Sequence, residues 1–369
     1  MFKHIKFAAL ALLLSAGFAA CSENDDPQPS PNPVRGEAGM YVINQGNKGA
    51  KLSSSIDFLS VDGTANVSSM FQAANNQALG STAQKPIIYG SKMYIPMYDN
   101  NLVWVADANT LKIVAKIETN EPEAVCGSEG YVFVNNNDGY VTRVDTTNFA
   151  KSQIEVGPNP ASLGITAYEG KVYVSISDGY NYPSCANGKK VAVIDAKTFT
   201  KEKDIAVGLN PGQITTDAYG NVFVVCMGNN SVAPEVWKID HATSVASKFC
   251  DGSHIATRGA QDRGSRALAA EDALYVINSV TNWDTYVTTL SSAVYSTTTG
   301  AVVLESFLPS DNLPAATSAI DINPSTGDVY VCSDAADYTS PGYINVYNAN
   351  GTFLRRLSAG IHPYGVVFK

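Results

Sequence analysis

A short phrase recurs seven times along the chain, and no other feature constrains the fold as much. A turn residue, usually glycine, precedes a β-rich burst with an aromatic at a fixed place. The bursts are Gly39-Met-Tyr-Val-Ile, Lys92-Met-Tyr-Ile, Gly130-Tyr-Val-Phe-Val, Gly170-Lys-Val-Tyr-Val, Gly220-Asn-Val-Phe-Val, Asp272-Ala-Leu-Tyr-Val and Gly327-Asp-Val-Tyr-Val. The aromatics Tyr41, Tyr94, Phe133, Tyr173, Phe223, Tyr275 and Tyr330 are spaced by 53, 39, 40, 50, 52 and 55 residues. A β-rich repeat of this length is the size of one four-stranded blade of a β-propeller. The expected fold is therefore all-β, a seven-bladed propeller, with function carried by loops on one face.

With the strands of a blade named A to D from the axis outward, the aromatic strand is B. A C strand follows in each repeat, as in Leu102-Val-Trp-Val or Val191-Ala-Val-Ile, and then an outer D strand such as Lys203-Asp-Ile-Ala-Val. The ends break this order. The first burst, Met40–Ile43, is a B strand with no A strand before it, and Tyr364–Phe368 is an A strand with no B after it. The two ends should complete one blade together, which removes free edges at the ring closure. One propeller domain is expected over residues 38–369.

Residues 1–20 read as an export signal: a positive start at Lys3 and Lys6, then an apolar run from Ile5 to Ala20 that is short for a membrane span. The run ends Phe18-Ala-Ala-Cys21, which resembles a bacterial lipobox, with phenylalanine where leucine is usual. That resemblance implies lipidation at Cys21 and a membrane held through the lipid. Residues 21–37 continue with acidic and amide residues and then alternating prolines, a solvated tether that reaches about 50 Å at ~3.1 Å per residue. The acidic stretch after the cysteine resembles the surface-export signal of lipoproteins in the Bacteroidetes group. The implied location is the outer membrane, facing the exterior.

Without Lys3 and Lys6 the chain carries 25 − 2 = 23 basic and 34 acidic residues, a net of −11. An acidic body is unsuited to phosphate backbones, so nucleic acid is not an expected partner. Cys126, Cys185, Cys226, Cys250 and Cys332 are odd in number and lack C-x-x-C spacing, which gives no zinc signature and rules out complete internal pairing. At this size no disulfide is needed for folding.

Several C strands end in Asp or Asn with Thr or Asn close behind, as at Asp107, Asp145, Asp195, Asp240 and Asn348. Recurrence once per blade marks these as turn residues that accept backbone N–H bonds, not catalytic carboxylates. The D–A turns repeat as well: Gly157-Pro-Asn-Pro160, Gly208-Leu-Asn-Pro211, Gly360-Ile-His-Pro363 and a variant Thr119-Asn-Glu-Pro122. Together these patterns resemble YncE-like and surface-layer propeller repeats across nearly the whole of residues 40–369.

In such a fold the B–C and D–A loops share one face, here called the top. The A–B and C–D turns, expected to be short and regular, share the other. The expected ligand wall comprises Tyr98, Asn100, Asn136, Tyr180, Tyr182 and Asn229 from the first blades. From the later ones it draws His254, Arg258, Trp283, Tyr286, Tyr338 and His362. Aromatics supply flat apolar contact and amides supply donors and acceptors. Trp283 and Tyr286, in a long B–C loop from Asn278 to Ser292, are expected to face Tyr98 and the Tyr180–Tyr182 loop across the ring.

The sequence holds no H-E-x-x-H, G-x-S-x-G or phosphate loop. His254 and His362 have no neighbouring His or Glu at ligand spacing, so no resident metal, no cofactor and no catalytic residue are expected. The lipobox, acidic tether, YncE-like body and aromatic, amide-rich face together resemble the BtuG family. That resemblance implies a surface lipoprotein that binds cobamides such as vitamin B12 and partners the TonB-dependent transporter BtuB. The alternatives are a glycan- or protein-binding propeller of the cell surface and a lactonase-like or quinoprotein-like enzyme.

Overall fold

A computed structural model describes residues 38–258, 272–282 and 287–369. The export signal, Cys21, the tether, Trp283 and Tyr286 lie outside the described residues. The described chain forms seven antiparallel four-stranded sheets, a seven-bladed β-propeller. Blade 1 combines the C-terminal strand Pro363–Phe368 with Gly39–Asn44, Ser55–Ser60 and Asn66–Val67. Tyr41 lies opposite Val367 and Val42 opposite Val366, so the closure expected from the unmatched ends is present. Blades 2 to 7 follow in chain order, with inner strands that begin near residues 87, 122, 160, 211, 254 and 317.

The recurrent aromatics explain why the blades stay together. All seven are at most 3% exposed. Each lies in a different hydrophobic cluster, and each cluster joins one blade to the next. Tyr41 packs with Ala106 and Leu111 of blade 2, Phe223 with Leu274 and Val276 of blade 6, and Tyr330 with Met40 and Val42 of blade 1. Burial of each such ring stabilises its interface by roughly 2–3 kcal/mol.

Polar ties repeat at the same seven interfaces, always onto the C–D turn of the next blade. Tyr41 donates to the Ala108 carbonyl at 2.7 Å, Lys92 to Thr146 at 3.2 Å and Arg143 to Lys197 at 3.0 Å. Lys238 donates to Thr297 at 2.7 Å, Tyr275 to Ala349 at 3.0 Å and Arg355 to Val61. Between blades 4 and 5 the tie is Tyr173 Oη to His241 Nδ1, 2.7 Å. The turns that receive these bonds are held by the recurrent acids: Asp107 Oδ1 accepts from the backbone of Asn109 and Thr110 and from the Thr110 hydroxyl.

Blade 6 departs from the expected loop lengths. Its A–B connection spans residues 258–273 and is not short. Its B and C strands, Leu274–Asn282 and Val287–Tyr295, stay paired out to Asn282 opposite Val287. The flanks of the segment expected to be a long loop, 278–282 and 287–292, are thus paired strands, where runs of Val and Thr favour the ladder. The five cysteines are free thiols.

Candidate functional site

The four D–A turns of the Gly-x-x-Pro type share one backbone feature. Their third residues, Glu121, Asn159, Asn210 and His362, all adopt left-handed φ, at 40°, 47°, 56° and 53°. Asn tolerates this region well because its short side chain bonds locally. Glu121 and His362 occupy it with less natural side chains, and both belong to top-face clusters.

The first cluster spans blades 2 to 4. Tyr98 stands on the turn Tyr98–Asn100 and Tyr180 on Gly179–Asn181. Asn137 donates to both phenols, at 3.1 Å to Tyr98 and 2.9 Å to Tyr180. The two hydroxyls are 3.3 Å apart, and Tyr180 donates to Glu121 Oε2 at 3.3 Å. The Tyr98 hydrogen bond, with burial and the Glu121 charge, pushes the Tyr180 phenol well up. Its ring is nevertheless 68% exposed. An aromatic face is thus presented to solvent while its polar end is fixed. Next to it, Tyr182 donates to Asn230 Oδ1 at 2.5 Å, and Asn229 Nδ2 donates to the Pro183 carbonyl at 2.9 Å.

The second cluster joins blades 7, 1 and 2 around a pocket of about 300 Å³ lined by Gln45, Asn47, Lys48, Thr82, Tyr338 and His362. Asn47 donates to the Tyr338 carbonyl at 2.9 Å, and Lys48 pairs with Asp99 at 2.5 Å. Burial opposes ionisation of Asp99, but the bonds from Lys48 and Thr82 outweigh it and hold this carboxyl below its ordinary range. His362 Nδ1 is 2.9 Å from Asp334 Oδ2, and its ring stacks on Tyr364 at 5.7 Å and 20°.

Between the clusters lies the axial mouth, where the inner strands begin. The Ser162 hydroxyl bridges Gln84 Oε1 at 3.0 Å and the Tyr364 hydroxyl at 2.8 Å. Burial pushes the neighbouring Glu123 carboxyl up to about 7; Ser162 opposes the shift and Glu121 adds to it. Burial pushes the Tyr364 phenol up to about 12. It lowers His254 to about 4, so that imidazole is neutral at physiological pH. Deeper in the channel, about 680 Å³ in volume, Lys85 pairs with Asp321, whose other oxygen accepts Val366 N–H at 2.8 Å.

Several expected wall residues are placed otherwise. Asn136 is fully buried, and its amide is bonded to Thr119 and Thr142. Its neighbour Asn137 is the amide that reaches the tyrosines, because alternation along the strand turns Asn136 into the blade. Asn100 accepts Ser81 N–H and braces the preceding D–A connection. Asn229 spends its carbonyl oxygen on Ser231 and Val232 N–H. Arg258 lies on the opposite face, where it donates to the Pro324 and Ser325 carbonyls, because the inner strand His254–Thr257 carries the chain from top to bottom before it. His254 begins that strand, at the mouth. Tyr98, Tyr180, Tyr182, Tyr338 and His362 are brought to the top face. Glu121, Glu123, Asn137, Ser162, Asn230, Asp334 and Tyr364 were not singled out by the sequence. Glu121 and Glu123 flank the proline of the one turn among these four that lacks the leading glycine, which is the signal that marks them. Among the described residues no group of three or more His, Cys, Asp or Glu is placed to hold a metal ion. No helix among them is long and apolar enough to cross a membrane.

Fold and site define a seven-bladed propeller with a polar, aromatic face above an axial channel. The chain belongs to the family described as Domain of unknown function (DUF5074), matched over residues 38–364. No curated protein matches it significantly. Among solved structures it is similar to a quinonprotein alcohol dehydrogenase-like protein from Bacteroides thetaiotaomicron, with TM-score 0.63, 16% identity, and coverage of 90% of this chain and 78% of that one. It is similar to hydrazine synthase of Kuenenia stuttgartiensis, with TM-score 0.59, 17% identity, and coverage of 75% and 86%. Dihydro-heme d1 dehydrogenase NirN in complex with DHE gives TM-score 0.52, 13% identity, and coverage of 89% and 74%. At these identities the likeness is one of fold.

Proposed function

We propose that the protein is a non-catalytic surface lipoprotein that captures a cobamide on its top face and passes it to a TonB-dependent transporter of the BtuB type. The observation that supports this most is the rim of exposed Tyr180 and Tyr182 beside half-buried Tyr98, with polar ends fixed by Asn137, Glu121 and Asn230. A corrin is broad, apolar across its ring and fringed with amides. It needs wide aromatic contact bordered by groups that both donate and accept, and rigid tyrosines supply that contact at small entropic cost. Anchoring through Cys21 and placement outside the outer membrane follow from the lipobox and tether, and Cys21→Ser should release the chain from membranes. The direct test is visible absorption of the purified protein after exposure to cyanocobalamin and desalting. Retained corrinoid colour near one equivalent is the expected result, and a colourless protein would overturn the reading.

A further inference from the structure

His362 is constrained from several sides at once. Its backbone is left-handed, at φ 53°, and its carbonyl accepts Gln45 N–H at 2.8 Å. Its ring lies flat on Tyr364, with Tyr338 6.5 Å away on the rim. Its Nδ1 faces Asp334 Oδ2 at 2.9 Å. Asp334 is 4% exposed, and its other oxygen, Oδ1, is buried without a hydrogen-bond partner. The imidazole edge is therefore the polar group this carboxylate holds. A carboxylate beside Nδ1 favours the proton on that nitrogen and leaves the lone pair on Nε2, the arrangement usual behind metal-binding histidines.

A free ion would find too few donors here, since no group of three ligating side chains exists among the described residues. One oriented imidazole is sufficient only for a metal that arrives with its other ligands in place and one axial position exchangeable. We infer that His362 is the axial ligand of the metal centre of a macrocycle bound on the top face, through Nε2. This rests on the cobamide reading above and adds to it a single coordinating atom. For a cobalt(III) corrinoid that carries water, the Co–O bond breaks, the Co–N bond forms, and water leaves. Cobalt keeps its oxidation state, and the Nδ1 proton stays beside Asp334 Oδ2.

The probes are aquocobalamin, whose axial water exchanges, and cyanocobalamin, whose cyanide does not. Wild type should bind both, and aquocobalamin should show the shift of its strong near-ultraviolet band that marks nitrogen in place of water. His362→Ala should bind aquocobalamin with an unshifted spectrum and an affinity lower by about tenfold or more. Its loss of cyanocobalamin affinity should be smaller, since no Co–N bond is made with that probe, and a thermal transition like that of wild type controls for folding. Asp334→Asn, a change behind the ligand, should fold like wild type by circular dichroism and develop a smaller aquocobalamin shift. His254→Ala should retain the full shift. Aquocobalamin bound to wild type with an unchanged spectrum, or a shift that survives His362→Ala, would overturn the inference while the cobamide reading stands. If neither corrinoid binds wild type, both fall together.

Discussion

The two faces of this propeller use the same residue types for opposite ends. On the lower face each Asp or Asn of a C–D turn bonds its own backbone, and the turn then receives one tie from the preceding blade. The result is nearly the same seven times over. On the top face the amides reach across blades: Asn137 to two tyrosines, Asn230 to Tyr182, and Asn44 to the Gly360 backbone. Repetition marks the groups that hold the ring. Groups that differ from blade to blade mark where a ligand is met.

The largest effect should come from the structural side. Deletion of Tyr364–Lys369 removes most of the inner strand of blade 1 and reopens the ring, so the cooperative thermal transition of the whole domain should be lost. A truncation that melts like the intact chain would break the account of closure. Phe223→Ala empties one interface between blades and should cost about 3–5 kcal/mol in denaturant unfolding. It should leave ligand affinity unchanged per folded molecule.

The top face should behave the other way. Tyr180→Ala should weaken cyanocobalamin binding about thirtyfold, ~2 kcal/mol, with the melting temperature nearly unchanged. Loss of stability without loss of affinity would make Tyr180 a structural residue and erase the contrast.

A smaller effect concerns pH. The folded pKa of Glu123, about 7, lies above the ordinary 4.5 of a free glutamate. Its contribution to stability is therefore present below about 4.5 and lost as pH rises through 7. Glu123→Gln should match wild type near pH 4 and melt a few degrees higher at pH 8, as followed by circular dichroism. A constant difference across that range would contradict the assigned environment. Smaller still, Asp195→Ala removes the bonds to Lys197 and Thr198 N–H. It should cost about 1 kcal/mol and leave binding alone.

Much of the ring was legible in sequence because each blade repeats its physics. A fixed aromatic, a turn acid and a Gly-x-x-Pro restart recur with the period, and the unmatched first and last strands announce the closure. The site was less legible because it is built from departures. Whether Asn136 or Asn137 faces outward depends on strand register. Arg258 falls on the lower face because the inner strand of blade 6 is only four residues, His254–Thr257, and without a Gly-x-x-Pro restart its direction is not evident from sequence. Glu123, Ser162 and Tyr364 come from three inner strands distant in sequence, and only the axis brings them together. The Asp334–His362 pair likewise joins a B–C loop to a D–A turn of the next blade.

The contrast between faces is tested most directly by calorimetric titration of cyanocobalamin into wild type, Tyr180→Ala and Tyr219→Ala. Tyr219 is as openly exposed as the rim tyrosines, at 54%, but stands on an A–B turn of the lower face. The account predicts binding by wild type, an affinity loss of about thirtyfold for Tyr180→Ala and no change for Tyr219→Ala. No heat with wild type, or equal losses for the two variants, would contradict it.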